Sequence, residues 1–346
     1  MTTGKFRLGL VGAGLITQGS HLPAALASPG VEVTAIVDPA VERAAQLARD
    51  YGIAPRIAPR VEDVLTSIDG AIIATPNHTH CAIALACLTQ GVPVLVEKPL
   101  AASYEEGLAI VRAAERSGQV VAVGYSTRFR DEIPLLKALL KEDYFGTVRR
   151  FVHQFGTPGG WAPLSAYNLD RSTAGGGVLV VTGTHFLDRM LYLWGYPDEV
   201  SLEDDSLGGP EANCRATFVY SRSEGRIEGV VRYSKTVKLP AGMVVETDRG
   251  YVLLGDGDDS GIVFREHGRP GIEQVVRPAG PSRYSSQASV FQRQLEDFVS
   301  AVREKKRPLV DGREGTESLR LLEQLYAHRR PADTDWYVHS RKGGSR

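Results

Sequence analysis

A lysine that follows a short run of apolar, mostly β-branched residues reads as a cation fixed at the end of a buried strand. VPVLVEKPL, Val92 to Leu100, has this form. The run enters from Gly91 and Pro93 and is short and apolar enough for a strand buried on both faces. In an open parallel sheet, ligands lie just beyond the carboxyl ends of the strands. Lys98, as ammonium, could there polarise a carbonyl oxygen and stabilise a developing alkoxide. Glu97 could orient the lysine. The plain alternative is a surface Glu–Lys pair that ends a strand.

A second constellation is Gly12-Ala13-Gly14, where a strand turns into a helix. Gly12 suits a tight turn, and Gly14 lets the backbone approach a pyrophosphate at the helix N-terminus. Leu15 and Ile16 open that helix and join the cofactor candidates. Thr17 occupies the place of the third fingerprint glycine, which serves helix–strand packing. Asp38 follows the next strand, about 26 residues after Gly12, within the range of a ribose-binding acid. It would accept from the adenosine ribose hydroxyls and repel a 2′-phosphate. NAD(H) is therefore expected, with NADP(H) open and Arg43 the nearest cation. Asp38-Pro39 also reads as a simple helix N-cap. Thr75, Pro76 and Asn77 form a turn that leaves helix N–H groups exposed to a cofactor. His80 or His78 would touch the nicotinamide, or else cap the surface.

The third constellation runs from Gly175-Gly176-Gly177 to Thr182 and His185. Each helical glycine costs about 1 kcal/mol against alanine, so three together point to close approach of a backbone or a ligand. His185 is the best placed acid/base besides Lys98. Its alternative is a buried, hydrogen-bonded histidine.

These residues need strands to carry them. Phe6–Val11, Val31–Val37, Ala71–Ala74, Val92–Val96 and Val120–Val123 alternate with helices, as in a doubly wound parallel sheet with right-handed crossovers. Ser103 with Glu106 three residues on is a capping-box signal for a helix to Ser117. After Tyr125 the pattern changes. A helix over Ile133–Lys141 and a strand near Val148–Phe155 lead into a Pro/Gly-rich loop, then a helix over Val180–Trp194. Val200 to Val276 reads as consecutive strands, with Ala212, Cys214, Ala216 and Phe218 on one face. Helices over Ser289–Glu304 and Glu314–Arg329 close the chain. The expected fold class is α/β: a Rossmann domain over residues 1–126, then an α/β domain with an open, mostly antiparallel sheet over 127–338, with a frayed tail at 339–346.

Composition narrows the partners. Among 346 residues, 40 Lys and Arg face 41 Asp and Glu, for a net charge of −1. No nucleic-acid surface or polybasic membrane face is expected from that balance. Three scattered cysteines without C-x-x-C fit reduced thiols in a cytoplasm and no zinc site. The first residues enter a strand directly, without a signal-peptide pattern, and no apolar run reaches membrane-spanning length. A cytoplasmic location follows as the expectation.

GAG with HLPAAL (His21 to Leu26), then ATPNHTH, EKP, GYSTRF and GGG-x7-His185, resembles the glucose–fructose oxidoreductase/inositol dehydrogenase (Gfo/Idh/MocA) family. Order and spacing agree over about Phe6 to Asp188, and the strands beyond fit more loosely. The resemblance implies NAD(P)-dependent redox chemistry on a sugar, cyclitol or polyol, with a second-domain sheet that pairs copies into homodimers or homotetramers. It makes Lys98 the active-site lysine and His185 the acid/base histidine. Glu97 would orient Lys98 or the nicotinamide ribose. The family's segment reads GGG-x-L-x-Asp-x-Gly-x-His, and here the Asp place is Val181, one helical turn before His185. Either the substrate presents no polar group there, or Lys98 and His185 act alone, or turnover is poor. Arg128, Trp161, Tyr167, Asn168 and Asp170 are the substrate candidates, Trp161 as an apolar platform, Arg128 also as a partner for an anionic group. No metal is expected. Two alternatives share the scaffold: an NAD-dependent glycosidase using transient oxidation, and a cofactor- and ligand-binding sensor without turnover.

Overall fold

The computed structural model describes residues 4–159, 170–255, 261–279 and 287–332. The chain opens with β1 (Phe6–Val11), a π-helical turn (Thr17–His21), α1 (Leu22–Ala27), β2 (Val31–Val37), α2 (Val41–Asp50) and β3 (Arg56–Ala58). Then come β4 (Gly70–Ile73), α3 (His80–Thr89), β5 (Val94–Val96), α4 (Tyr104–Ser117) and β6 (Val121–Val123). Next are α5 (Glu132–Lys141), β7 (Val148–Gly156), α6 (Arg171–Ala174), a second π-helical turn (Leu179–Gly183) and α7 (Thr184–Trp194). The meander is β8 (Glu199–Asp204), β9 (Asn213–Arg222), β10 (Gly225–Ser234), β11 (Leu239–Thr247), β12 (Gly250–Leu254), β13 (Ile262–Glu266) and β14 (Gln274–Val276). The last elements are α8 (Gln287–Glu304), α9 (Gly312–Ala327) and β15 (Arg329–Pro331).

Two compact units result. The first joins Met1–Phe129 to Ser286–Arg320, and the second joins Arg130–Ser285 to Leu321–Arg346. A contiguous division at 126/127 therefore misses that α8 and the first part of α9 group with the N-terminal strands. It also misses that Arg128 belongs to the first unit.

The first unit's sheet runs β3-β2-β1-β4-β5-β6 with every pair parallel. Chain order reverses between β1 and β4, the switch point at which such sheets bind ligands. Alternate strand residues feed two cores. Ala71, Ile73, Val94 and Val96 pack on one face with residues of α3 and α4. Leu8, Leu10, Ile72 and Leu95 pack on the other with Leu295, Phe298 and Val299 of α8. Burial on both faces is why these strands are uninterrupted apolar runs. β3, absent from the sequence reading, is a three-residue edge strand. Ser103 caps α4 as expected, accepting from the Glu106 N–H at 3.2 Å. The Glu106 carboxylate returns to the Ala102 N–H at 3.0 Å rather than to Ser103.

The second unit holds nine strands in the order β14-β13-β12-β11-β7-β10-β9-β8-β15. Only β10/β7 and β15/β8 run parallel among its pairs. One face is buried: Cys214, Ala216, Phe218, Val231 and Tyr233 pack against Phe186, Leu187 and Met190 of α7. Arg215, Thr217 and Val219 point the other way and are half-buried. The expected helical end at Arg329 is instead β15, an edge strand on β8.

Candidate active site

In the first unit the glycine loop leaves β1 at the switch point. Gly12 has φ +99°, and a Cβ there would lie 2.5 Å from the Ala74 carbonyl oxygen, so only glycine fits. A Cβ at Gly14 would meet nothing within 4 Å, which leaves open space beside the main chain. Leu15, just beyond, is exposed. Ile16 is half-buried. Thr17 substitutes for the third glycine without loss of packing: it is buried and its hydroxyl donates to the Gly12 carbonyl at 2.5 Å.

Asp38 follows β2 and supports this loop. Its Oδ2 accepts the Ala13 N–H at 2.9 Å, while Oδ1 accepts the Ala40 N–H at 2.8 Å and Arg43 Nη2 at 2.8 Å. Asp38 is not the N-cap of α2, which is Ala40; its carboxylate instead braces the glycine loop and the turn that precedes the helix. Arg43 is ion-paired with it, so part of the charge that would repel a 2′-phosphate is offset.

The turn after β4 carries Thr75, Pro76 and Asn77. Thr79 Oγ1 meets the Thr75 hydroxyl and the Pro76 carbonyl, each at 2.7 Å. Asn77 is buried and His78 exposed. His80 differs from its expected place at the nicotinamide. It is 1% exposed, with Nδ1 2.9 Å from the Pro99 carbonyl and Nε2 2.8 Å from the Thr75 carbonyl. Burial lowers its pKa, which favours the neutral ring, and a neutral ring donates to one carbonyl at a time. His80 therefore fills the space between the ends of β4 and β5 and hydrogen-bonds to one of them at a time.

β5 delivers Glu97 and Lys98, and the Lys98–Pro99 peptide is cis. Glu97 is buried; its main-chain N–H donates to the Ile73 carbonyl, and its Oε2 accepts the Lys98 N–H at 3.0 Å. Its Oε1 lies 2.8 Å from Nε2 of buried His21. Gly124 closes over this carboxylate: a Cβ there would lie 3.0 Å from Glu97 Oε2. Neither His21 nor Gly124 was among the sequence candidates. Arg128 is 4% exposed and pairs with Glu314 at 3.4 Å, so it has an internal acid partner within its own unit.

In the second unit the three glycines serve the backbone rather than a ligand. Gly175 has φ +77°. A Cβ on Gly176 would overlap the Tyr326 hydroxyl, and one on Gly177 would overlap the Glu211 main chain. Glu211 is the hub. Its carboxylate accepts the N–H groups of Gly177 and Leu179 at 2.8 and 2.9 Å and the Tyr326 hydroxyl at 2.8 Å. Burial pushes its pKa up. The chain then winds through the π-helical turn, where Gly183 packs on the Tyr233 ring, and enters α7. Such wide turns are frequent at functional sites. Val181, Thr182 and His185 are half-buried, whereas Leu179, Val180, Gly183, Thr184, Phe186 and Leu187 are buried. His185 therefore shares the accessible side of this segment with Val181 and Thr182. Asp170 is exposed, and its carbonyl accepts from Thr173 and Ala174 at the start of α6. Trp161, Tyr167 and Asn168 lie outside the described residues. Among the described residues no group of three or more His, Cys, Asp or Glu could hold a metal ion.

Residues 6–125 match the sequence model of the NAD-binding Rossmann fold of an oxidoreductase family, and residues 137–334 match its C-terminal alpha/beta domain. The chain belongs to the Gfo/Idh/MocA oxidoreductase family. Among curated members, the rhizopine catabolism protein MocA of Rhizobium meliloti is 33% identical over 55% of this chain and 58% of its own length. The D-glucoside 3-dehydrogenase of Escherichia coli is 27% identical over 62% of each chain. The matches thus span about three fifths of these two relatives' own lengths. Levoglucosan dehydrogenase, solved with NADH and levoglucosan, superposes with TM-score 0.81 at 19% identity, over 94% of this chain and 97% of that one. This Gfo/Idh/MocA chain shares its fold.

Proposed function

We propose that the protein is an NAD(H)-dependent oxidoreductase acting on a secondary alcohol or ketone of a sugar, sugar derivative or cyclitol. The observation that carries this reading lies in one sheet. The glycine loop, Asp38 and Lys98 leave the carboxyl ends of β1, β2 and β5 of one parallel sheet, on either side of the switch point between β1 and β4. Relatives named as dehydrogenases of glucosides and inositols support the substrate class.

The residues present fit the cofactor. Open space beside the Gly14 main chain suits a pyrophosphate, and Asp38, at the end of β2, suits a ribose. Leu15 and Ile16 would cover the adenosine side, and Thr75, Pro76 and Asn77 the nicotinamide side. Bound there, NAD(H) supplies the two-electron acceptor or donor. His185 would take the substrate hydroxyl proton during oxidation and return it during reduction. Lys98, as ammonium, would stabilise the negative charge that builds on the substrate oxygen. Glu97 would hold Lys98 in place. The Val181 side chain offers no hydrogen bond, so either the substrate presents no polar group there or Lys98 and His185 act without help from that position.

We further place the protein in the cytoplasm as a homodimer or homotetramer paired through the free face of the nine-stranded sheet. No helix among the described residues is long and apolar enough to cross a membrane. The deciding experiment is a panel of polyols, inositols and keto-sugars with NAD+ and NADH, followed by absorbance and product analysis. A keto-product with equimolar NADH supports the reading. Cleavage of a glycoside without net NADH would make the protein a glycosidase, and binding without turnover a sensor.

A further inference from the structure

A buried polar contact lies behind the Lys98 backbone, and the oxidoreductase reading above makes no use of it. His21 closes the π-helical turn that follows the glycine loop. Its ring is 2% exposed and stands edge-on to Phe291, with centroids 5.0 Å apart. Nε2 lies 2.8 Å from Glu97 Oε1, and because a carboxylate only accepts, Nε2 carries the hydrogen. The other oxygen, Oε2, accepts the Lys98 main-chain N–H at 3.0 Å. Gly124 blocks the far side of the carboxylate. The Glu97 side chain is thus fixed at both oxygens and on a third side by close packing.

Removing a histidine and a carboxylate from water is costly, and the pairing of the two offsets that cost at best. Such a contact stabilises the fold little over an apolar pair of the same shape. What it does provide is a defined geometry on the residue directly before Lys98. The same short turn is anchored at its other end by Thr17, whose hydroxyl holds the Gly12 carbonyl. One rigid element therefore touches the cofactor loop at one end and the base of Lys98 at the other.

We propose that His21 is a positioning residue for Lys98, acting through Glu97. The proposal rests on the reading of Lys98 as the group that stabilises charge on the substrate oxygen. His21 itself touches neither substrate nor cofactor. It keeps the Lys98 backbone in register with the glycine loop, so that cofactor and lysine are placed by one element.

The test uses the full chain and four variants: His21→Leu, His21→Gln, Glu97→Gln and Lys98→Met. Each is measured for kcat and KM on the best polyol of the panel and for NADH affinity by fluorescence titration. Lys98 is also labelled with acetic anhydride with and without NADH, its rate read by peptide mass spectrometry beside Lys5 and Lys137. His21→Leu should lower kcat by about 10²-fold, the scale of a misplaced reacting group, while NADH affinity changes little. It should change the labelling rate of Lys98 alone. His21→Gln, whose amide can donate to Glu97, should restore most of both, and Glu97→Gln should resemble His21→Leu. Unchanged kcat and Lys98 labelling in His21→Leu overturn the proposal. So does a loss that His21→Gln fails to rescue and that falls equally on NADH affinity and on all three lysines. Full activity in Lys98→Met would instead remove the reading of Lys98, and Lys98 labelling would then decide the role of His21 alone.

Discussion

Asp38 does three things with two oxygens, and this shapes how cofactor choice should respond to mutation. It braces the Ala13 N–H of the loop, holds the Ala40 N–H in the turn before α2 and pairs with Arg43. Asp38→Ser removes the acceptor for a ribose hydroxyl and also frees Arg43. NAD affinity should fall by about 1.5 kcal/mol, roughly tenfold, while NADP gains from the released guanidinium. Calorimetry with both cofactors on both proteins checks this. Equal NAD and NADP affinity in the unaltered chain would remove Asp38 as the discriminating group. Val181 makes a second prediction at this scale. It shares the accessible side of its segment with His185, so Val181→Asp places a carboxylate where simple polyols offer a hydroxyl. Turnover of inositols should rise. Unaltered kinetics across the panel would put position 181 out of the substrate's reach.

At the scale of elements, the segment from Gly175 to His185 depends on a buried acid. The Glu211 carboxyl has its pKa raised by burial above the ordinary glutamate value of 4.5. A raised pKa in the folded state means this site contributes its full stability below the ordinary glutamate range. That contribution is lost as pH climbs through the raised value. Glu211→Gln cannot ionise, so its Tm should fall less than that of the unaltered chain over the same rise in pH. Parallel Tm-against-pH curves would assign the effect to another group. The same segment shows what the sequence reveals and what it hides. Periodicity exposed five of the first sheet's strands to within a few residues and the second sheet's meander as a run of strands, because apolar runs and alternation follow from burial on two faces or one; it missed the short edge strands β3 and β15. The motif residues Gly12, Asp38 and Lys98 were legible for the same reason: each sits where a readable strand ends. Three things were not legible. The glycines of 175–177 answer to Glu211 and Tyr326, which are distant in sequence. The π-helical turns have no signature in spacing. His80 reads as a nicotinamide contact or a surface cap and Arg128 as a substrate contact, yet each is buried against a partner that only the fold supplies, Pro99 for one and Glu314 for the other.

For the molecule as a whole, the second sheet poses the question of association. Its helix-covered face is mostly apolar, with His153 stacked on Phe186, but Arg215, Thr217 and Val219 of β9 and Ser201 of β8 lie on the other face and are only half-buried. Ser201 and Thr217 hydrogen-bond across that face at 2.6 Å, and Arg215 reaches Glu203 at 3.9 Å. Mixed small and polar side chains on a broad sheet suit a symmetric contact between copies. Light scattering at micromolar concentration should give a mass of two or four chains. A monomer would leave that face to solvent.

The first unit is assembled from two stretches of chain that synthesis delivers far apart in time. β1 through β6 emerge early, but Leu295, Phe298 and Val299, which cover Leu8, Leu10 and Ile72, come from α8. Phe298 reaches as far as Gly70, where a Cβ would lie 3.2 Å from its ring. Leu22 and Ala25 of α1 and Ala44 and Leu47 of α2 cover part of that side early, but until the ribosome has passed α8 the part that Leu295, Phe298 and Val299 pack on stays an exposed apolar surface. Chains in that condition are prone to aggregation and are the natural clients of chaperones. The cofactor cradle therefore reaches its finished form only after nearly the whole chain has been made, and translation that stops before α8 leaves a sticky half-domain rather than a small working one.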